Sequence, residues 1–492
     1  MSNIGINLVE VDGRATPSIQ GAATSVAGFL GRTTRGVPGV RNVTNWSDFL
    51  ESFGPHRSGA FLAYAIKGFF ENGGAQAYVA RIVDNTALAS TIGWGPSNGY
   101  TLTAAYRGQL DPGPWGDKIK VTVTNPPKGN DPAATWTLVV EYDGKVVETW
   151  DHLPFTAAGV AKINDEFSGS KFVKMVCPDA SVVPPLAATA LAGGADTMDQ
   201  TAINTFAIAA LGGGLNPTGV FDTYNVQLIA CPETTDDTVL TQGISYCGGR
   251  GDCIYIAATP DTTPAAALSF GLAKRANNVY AALYYPFVRV SDPLGSVLWI
   301  PPVGHVMGVY ARTELERGIW KAPAGVQANV RGVLDVHTHI SDTTHTNLVK
   351  IGGVNAVRYI AGQGIVLDSS RTLSASPLWQ FVNVRLLFNY VKSSLKNSLR
   401  WVVQEPNDPT LWNKVKFNSV VPFLSDLWRR GAFGPGAKDD VFSVKIDMEN
   451  NPPANIQQGI LNIEVYFYPS RPAETFIITV GQQEGSSTAS ES

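Results

Sequence analysis

The sequence predicts a multidomain protein of mixed α/β and α+β class. An α/β core carries a small inserted β-rich domain, and a C-terminal α+β domain follows, with extended arms at both chain ends. Three observations carry this reading. Strand-like and helix-like segments alternate on both sides of the stretch from 85 to about 200. Inside that stretch Gly, Pro and Thr rise, and helical periodicity gives way to period-two alternation. After residue 378 a long amphipathic helix pattern precedes a run of alternating strands. The expected units are an arm at 1–18, a discontinuous core at 19–88 and 201–378, an insertion at 89–200, a C-terminal domain at 379–480 and a tail at 481–492.

In the first arm Ile4, Ile6 and Leu8 share one side of a strand, and Gly13 and Pro17 follow. Such a strand has no hairpin partner, so it pairs with a distant strand of its own chain or with another chain. Residues 21–83 then read as strand, helix, helix, strand. SVAGFLGR is a buried strand ending in glycine. NWSDFLESFG is a short helix capped by Asn45 or Ser47. GAFLAYAIKGFFENGG puts Leu62, Ala65, Ile66 and Phe69 at helical spacing, and Gly73-Gly74 ends it. AYVARIV closes the unit as a strand.

In the insertion, GPWGDKIKVTVTNPP, TWTLVVEYDGKVVETW and SKFVKMVC alternate as strands. Tyr142-Asp143-Gly144-Lys145 has the Asp-Gly signal of a tight hairpin. The core resumes with YNVQLIACPE as strand, DDTVLTQGISYC as helix, CIYIAATP as strand, PAAALSFGLAKRA as helix and NVYAALYYPFVRV as one strand. That order implies right-handed crossovers and a largely parallel sheet. VGHVMGVYARTELERG places Val303, Val306, Met307 and Tyr310 on one helical face.

The stretch Trp379–Trp428 holds the most distinctive pattern. Val384, Leu387, Phe388, Val391, Leu395, Leu399 and Val402 fall at the offsets of one helical face. At roughly 100° per residue, Arg385, Asn389, Lys392, Lys396 and Arg400 share another face within about 80°. That basic stripe reads either as a solvated helix face or as an electrostatic contact with an acidic partner. Glu405-Pro-Asn-Asp-Pro409 stops the helix, because proline lacks an amide donor. A second helix follows with Phe417, Val421, Leu424 and Trp428 in register, which Pro422 kinks or restarts. The Arg429-Arg430 pair satisfies helix-end carbonyls or meets a partner. Three alternating stretches close the chain: DVFSVKIDM, GILNIEVYFYP and AETFIITV, the last with Phe476, Ile478 and Val480 on one side. Residues 481–492 are polar and Ser-rich, the composition of a disordered tail.

Composition limits the function classes. A chain of 492 residues holds two to four domains, and 44% hydrophobic content marks it as core-forming. The charged fraction of 16% is low, as in a protein that buries its surface against copies of itself, or in a Gly- and Ala-rich enzyme. A net charge of −4 argues against a nucleic-acid binder. The four cysteines include no CxxC pair, which fits buried free thiols in a reducing compartment. Neither a signal peptide nor a membrane-spanning run is read.

Catalytic signals are sparse. Asp335-Val-His337-Thr-His339, with Asp342 and His345, offers two imidazoles on one side of a strand, a spacing that suits zinc. A (β/α)8 amidohydrolase needs that pair on its first strand, whereas here too little chain follows to supply further ligands. The glycine-rich run from Gly212 to Gly219 lacks a following Lys-Ser/Thr, so it is no P-loop. There is no dinucleotide fingerprint and no G-x-S-x-G elbow. Arg250-Gly251-Asp252 is a tripeptide that chance supplies often. No cofactor is expected.

Four separated blocks, in order, resemble contractile tail sheath proteins. They are TSVAGFLGRT through LAYAIKGFFENGGAQAYVARIV, the Pro112-Gly113-Pro114-Trp115-Gly116-Asp117 element, the W-K-A-P-A-G core at 320–325, and NVRLLFNYVKSSL with WVVQEPNDPTLW and FLSDLWRRGAFGPG. The resemblance implies a non-enzymatic subunit that polymerises helically around an inner tube and contracts to drive that tube through a target envelope. The implied partners are further copies of the chain, an inner tail tube protein, and baseplate and tail terminator proteins, without nucleic acid or membrane insertion. It implies assembly in a bacterial host cytoplasm, as part of a phage virion tail or of a released contractile particle. Both arms (Ile4, Ile6, Leu8; Phe476, Ile478, Val480) are expected to exchange strands with neighbouring subunits. Arg385, Lys392, Lys396, Arg400, Arg429 and Arg430 are the candidate tube contacts. The competing class is a metal-dependent hydrolase using His337 and His339 on an α/β scaffold.

Overall fold

A computed structural model describes residues 18–94, 99–124, 135–154, 157–176, 186–213 and 218–474. Both arm motifs (Ile4, Ile6, Leu8 and Phe476, Ile478, Val480) and the 481–492 tail lie outside the described residues.

The apolar runs of the core form eight strands of one sheet. They are β1 (Ala27–Gly31), β2 (Val40–Val43), β3 (Ala77–Arg81), β4 (Leu228–Ala230), β5 (Ile254–Ala258), β6 (Ala281–Tyr285), β7 (Val354–Ile360) and β8 (Gly364–Leu367). Their spatial order is β8-β7-β6-β5-β4-β1-β3-β2. Pairing is parallel from β7 to β3, and the edge strands β2 and β8 run antiparallel. Every residue of β1, β4 and β6 is buried. Covering both faces of a parallel sheet requires such continuous apolar strands rather than alternating ones. One cover includes the helices Gln200–Ala210, Asp237–Arg250 and Pro264–Lys274. The other includes Trp46–Phe53, Leu62–Glu71 and Val303–Arg317.

Local chemistry fixes several of these elements. Asn45 caps its helix by accepting from the Asp48 amide at 2.9 Å. The helices Leu62–Glu71 and Val303–Arg317 approach closely because glycines face the contact. A methyl group at Gly304 would strike the Ala65 carbonyl, and one at Gly68 would strike the His305 ring. The segment NVYAALYYPFVRV is not one strand. β6 ends at Tyr285, and Val288–Ser291 joins a separate sheet with Val297–Ile300 and Asp335–Val336. Pro286 lies between them and has no amide to continue the ladder.

Residues from Trp94 to Leu191 have a core of their own, built on Trp94, Tyr100, Trp115, Trp136 and Leu153. Two four-stranded sheets surround it. The Asp143-Gly144 turn joins Thr135–Tyr142 to Lys145–Pro154, with positive φ of 50° and 77° as the tight hairpin requires. A buried ion network ties this unit to the large sheet. Arg81, the last residue of β3, sits 2.8 Å from Asp111 and 3.1 Å from Asp196, and Arg57 reaches Asp196 at 2.6 Å.

The C-terminal region is led by the central helix Val382–Ser398. Further on, a π-helical turn at Lys414–Val420 precedes the helix Val421–Arg429. The wide turn lets Pro422 enter near a helix start, where its missing amide costs little. It also shifts the buried face. The predicted member Phe417 is 57% exposed, while Val420, Phe423, Leu424 and Leu427 are buried. Phe442–Lys445 and Glu464–Phe467 pair antiparallel as a two-stranded sheet. Among the described residues no other strand joins it.

Candidate functional site

The central helix is buried on more than its apolar face. Val384, Leu387 and Val391 lie in the core as expected, but Asn383, Arg385, Asn389, Ser393 and Ser394 are buried too. The polar stripe faces the amino ends of the parallel strands. Asn389 donates to the Cys253 carbonyl at 3.1 Å, just before β5. Lys392 donates to the Gly251 carbonyl and to the Tyr280 hydroxyl, the latter at 3.3 Å.

Arg385 therefore departs from its assignment as a tube contact. It is 1% exposed. Its guanidinium lies between the rings of Tyr280 and Trp379, 3.9 Å and 4.1 Å from their centroids. Nη2 donates to Asn278 Oδ1 at 2.6 Å. Burial lowers its pKa to about 10. A cation between two aromatic faces is an internal strut. The helical period identified which residues share a face, and the α/β core covers that face at this end.

The remaining basic candidates differ among themselves. Lys392 is exposed at its tip but anchored as above. Lys396, Arg400 and Arg429 are exposed. Arg430 is exposed, lies 5.2 Å from the Trp320 ring centroid and pairs with Asp426 at 3.6 Å.

The roots of both arms are held against this region. The Gln20 amide donates to Ser398 Oγ at 3.2 Å and the Ala22 amide to Ser394 Oγ at 2.9 Å. Ser25 donates to Glu314, whose carboxyl burial pushes up to about 7. At the other end Arg371 takes Glu474 in a two-point contact. None of these partners was singled out from sequence. Ser394 and Ser398, two of the three serines of the S-S-L-K-N-S run, were the available signal, since small hydroxyls on a helix mark a close backbone approach.

The histidine pair does not form a metal centre. His337 Nδ1 meets Asp261 Oδ1 at 2.5 Å beside the Trp299 ring, and His339 Nε2 lies 3.4 Å from Asp335. His345 faces Asp368, whose Oδ2 receives Arg358 at 2.7 Å. Among the described residues, no group of three or more His, Cys, Asp or Glu side chains could hold a metal ion. The Arg250-Gly251-Asp252 tripeptide is closed on itself, Arg250 Nε donating to Asp252 at 2.9 Å. Cys231, Cys247 and Cys253 are free and buried.

Comparison with known proteins agrees with this architecture. Residues 374–483 match the phage tail sheath C-terminal domain. The tail sheath protein of Vibrio phage KVP40 is 29% identical over 176 residues, 35% of this chain and 25% of that protein. That of Salmonella phage ViI is 27% identical over 157 residues, 31% of this chain and 23% of that protein. The matched stretch thus spans about a quarter of these relatives. Among solved structures, the anti-feeding prophage helical sheath in its contracted state is 20% identical, covers 98% of this chain and 100% of that one, and gives a TM-score of 0.59. The sheath tail protein from Listeria innocua is 14% identical over 88% of this chain and 90% of that one, with a TM-score of 0.61. These likenesses show a shared fold extending over nearly the whole chain. None of them supports the hydrolase.

Proposed function

We propose that this chain is the structural subunit of a contractile tail sheath. It polymerises helically around an inner tube and contracts to drive that tube through a target envelope. One observation carries the reading most strongly. The fold follows contractile sheath subunits over nearly the full length, the closing sheet has two strands among the described residues, and the sequence carries alternating segments before and after those residues. A short sheet with open edges, together with strand-forming segments elsewhere in the chain, is the requirement for strand exchange between copies.

On this reading the subunit has no catalytic step. The free energy of contraction is stored at assembly, as two lattice states of nearly rigid subunits separated by a barrier. The inserted unit lies on the outer surface, where it varies without disturbing the lattice. Baseplate, inner tube and terminator proteins are the expected partners, and assembly takes place in the host cytoplasm. The deciding experiment removes residues 1–18. A folded monomer that no longer forms tubes by electron microscopy is the expected result; normal tubes from this variant would refute strand exchange through the first arm, and a full chain that forms no tubes would refute the sheath reading.

A further inference from the structure

We propose that in the free subunit the chain's own N-terminal segment, through Ile4, Ile6 and Leu8, occupies the groove at the end of the central helix. Each subunit then masks its own assembly surface until a growing polymer displaces the segment. The proposal deepens the sheath reading and rests on it for its consequence, though the groove contact is measurable on a single subunit.

The groove holds about 510 Å³, lined on its apolar side by Leu399, Val402, Val403, Leu411, Leu461 and Ile463, with a polar side that includes Glu405. Val403 is 69% exposed, an unusual setting for valine beside other apolar side chains. Leu461 and Ile463 lead directly into the strand Glu464–Phe467. An occupant here lies beside the two-stranded sheet of the described residues.

The position of the described N-terminus selects the occupant. The backbone at Gln20 is bound to Ser398, which precedes the lining residue Leu399 in sequence. Gln20 therefore lies close to the groove, and the segment that precedes it is tethered there. The twelve steps from Gln20 back to Leu8 span up to about 40 Å when extended, and Gly13 and Pro17 supply turn chemistry on the way. A tether of this length gives an effective concentration on the order of millimolar, far above that of a second subunit in dilute solution. Charge also matches. Glu10 and Asp12 of the segment carry the sign opposite to the exposed Lys396 and Arg400 on the helix end. Filling the groove in the same chain covers those two cations, and release uncovers them together with the sheet edge.

The test uses a labelled peptide of residues 1–17, titrated into the full chain and into a chain lacking residues 1–17, both kept monomeric. A full-length I6D/L8D chain gives the same comparison with every residue present. The truncated and I6D/L8D chains are expected to bind the peptide at least ten-fold more tightly than the full chain. Val403→Asp, at an exposed position, is expected to abolish that binding with an unchanged circular dichroism spectrum. Equal affinity for all three chains, or binding to none, would overturn the proposal. So would competition by a peptide of residues 475–483, which would assign the groove to the other arm. Electron microscopy of tubes from the full chain judges the sheath reading separately. Tubes with no groove binding would defeat this inference alone.

Discussion

Arg371 and Glu474, 103 residues apart, meet through two parallel contacts, Nε donating to Oε1 at 2.8 Å and Nη2 to Oε2. Both side chains are largely shielded, and Arg371 also lies over the Phe381 ring at 5.7 Å. A two-point guanidinium–carboxylate contact fixes direction as well as distance. Here it holds Glu474, the last described residue, against the segment that enters the central helix at Phe381.

From this follows a separation of effects. Glu474→Ala should lower monomer stability by roughly 1.5–3 kcal/mol, since it leaves the shielded Arg371 guanidinium without its carboxylate. Assembly should fall much further, because the alternating stretch AETFIITV loses its anchor at Glu474. Thermal melts and sedimentation of the same sample check both. A large loss of stability with normal assembly would make the pair a simple strut.

Arg385 should behave in the opposite way. Arg385→Ala removes a cation held by two rings and leaves Asn278 without its charged donor. The expected cost is roughly 2–4 kcal/mol, from cation–π and charged hydrogen-bond terms. Arg385→Lys should recover little of it, because an ammonium cannot stack between two aromatic planes. Urea midpoints of the monomer decide this, and an Arg385→Ala chain as stable as the parent would mean the sandwich does not hold the helix.

Glu314 gives the first arm root a pH dependence. Burial raises its pKa from an ordinary 4.5 to about 7. The folded state thus favours the neutral acid. Its contribution is complete below pH 4.5 and is lost as pH rises through 7, by about 3 kcal/mol at most. Tyr390 and Ser25 are its near neighbours. His305 acts in the other direction: burial lowers its pKa to about 4, so its contribution is lost as pH falls from 6.5. Comparison with Glu314→Gln isolates the carboxyl. The variant should gain on the parent steadily between pH 5 and 8 in urea midpoints, and a constant difference across that range would contradict the assignment.

Local signals in the sequence were reliable where the physics is local. The Asn45 cap, the Asp143-Gly144 hairpin and the parallel core strands each depend on residues a few positions apart. Arg385 shows where that reach ends. The helical period placed it on a polar stripe, but its cover comes from Asn278 and Tyr280, more than 100 positions away. The register of Phe417 was lost for another reason. A π turn changes the angular step, and an assumed 3.6-residue period cannot register it. The contacts of Gln20, Ala22, Ser25 and Glu474 pair residues about 100 or more positions apart, so the serine run could hint at a close approach but only the folded chain names the partners.

On the proposed sheath reading, the candidate tube contact rests on fewer residues. A sheath has to grip its tube before contraction and release it afterwards. Exposed charges suit this, because each pair contributes roughly 0–1 kcal/mol and separates readily, while many copies sum to a firm hold. Arg385 is removed from the candidates by burial. Lys392 is compromised, since its ammonium already serves Gly251 and Tyr280. Lys392→Glu should therefore weaken the monomer itself and would mislead as a test of tube binding. Lys396, Arg400 and Arg429 are exposed, and a triple reversal to glutamate should leave the monomer melt within about 1 kcal/mol of the parent. The same variant should form sheath tubes that lack an inner tube, and raising salt on the parent should loosen the contact through screening. Micrographs of co-assembled sheath and tube provide the measurement. Fully loaded tubes from the triple variant would place the contact on another surface of the subunit.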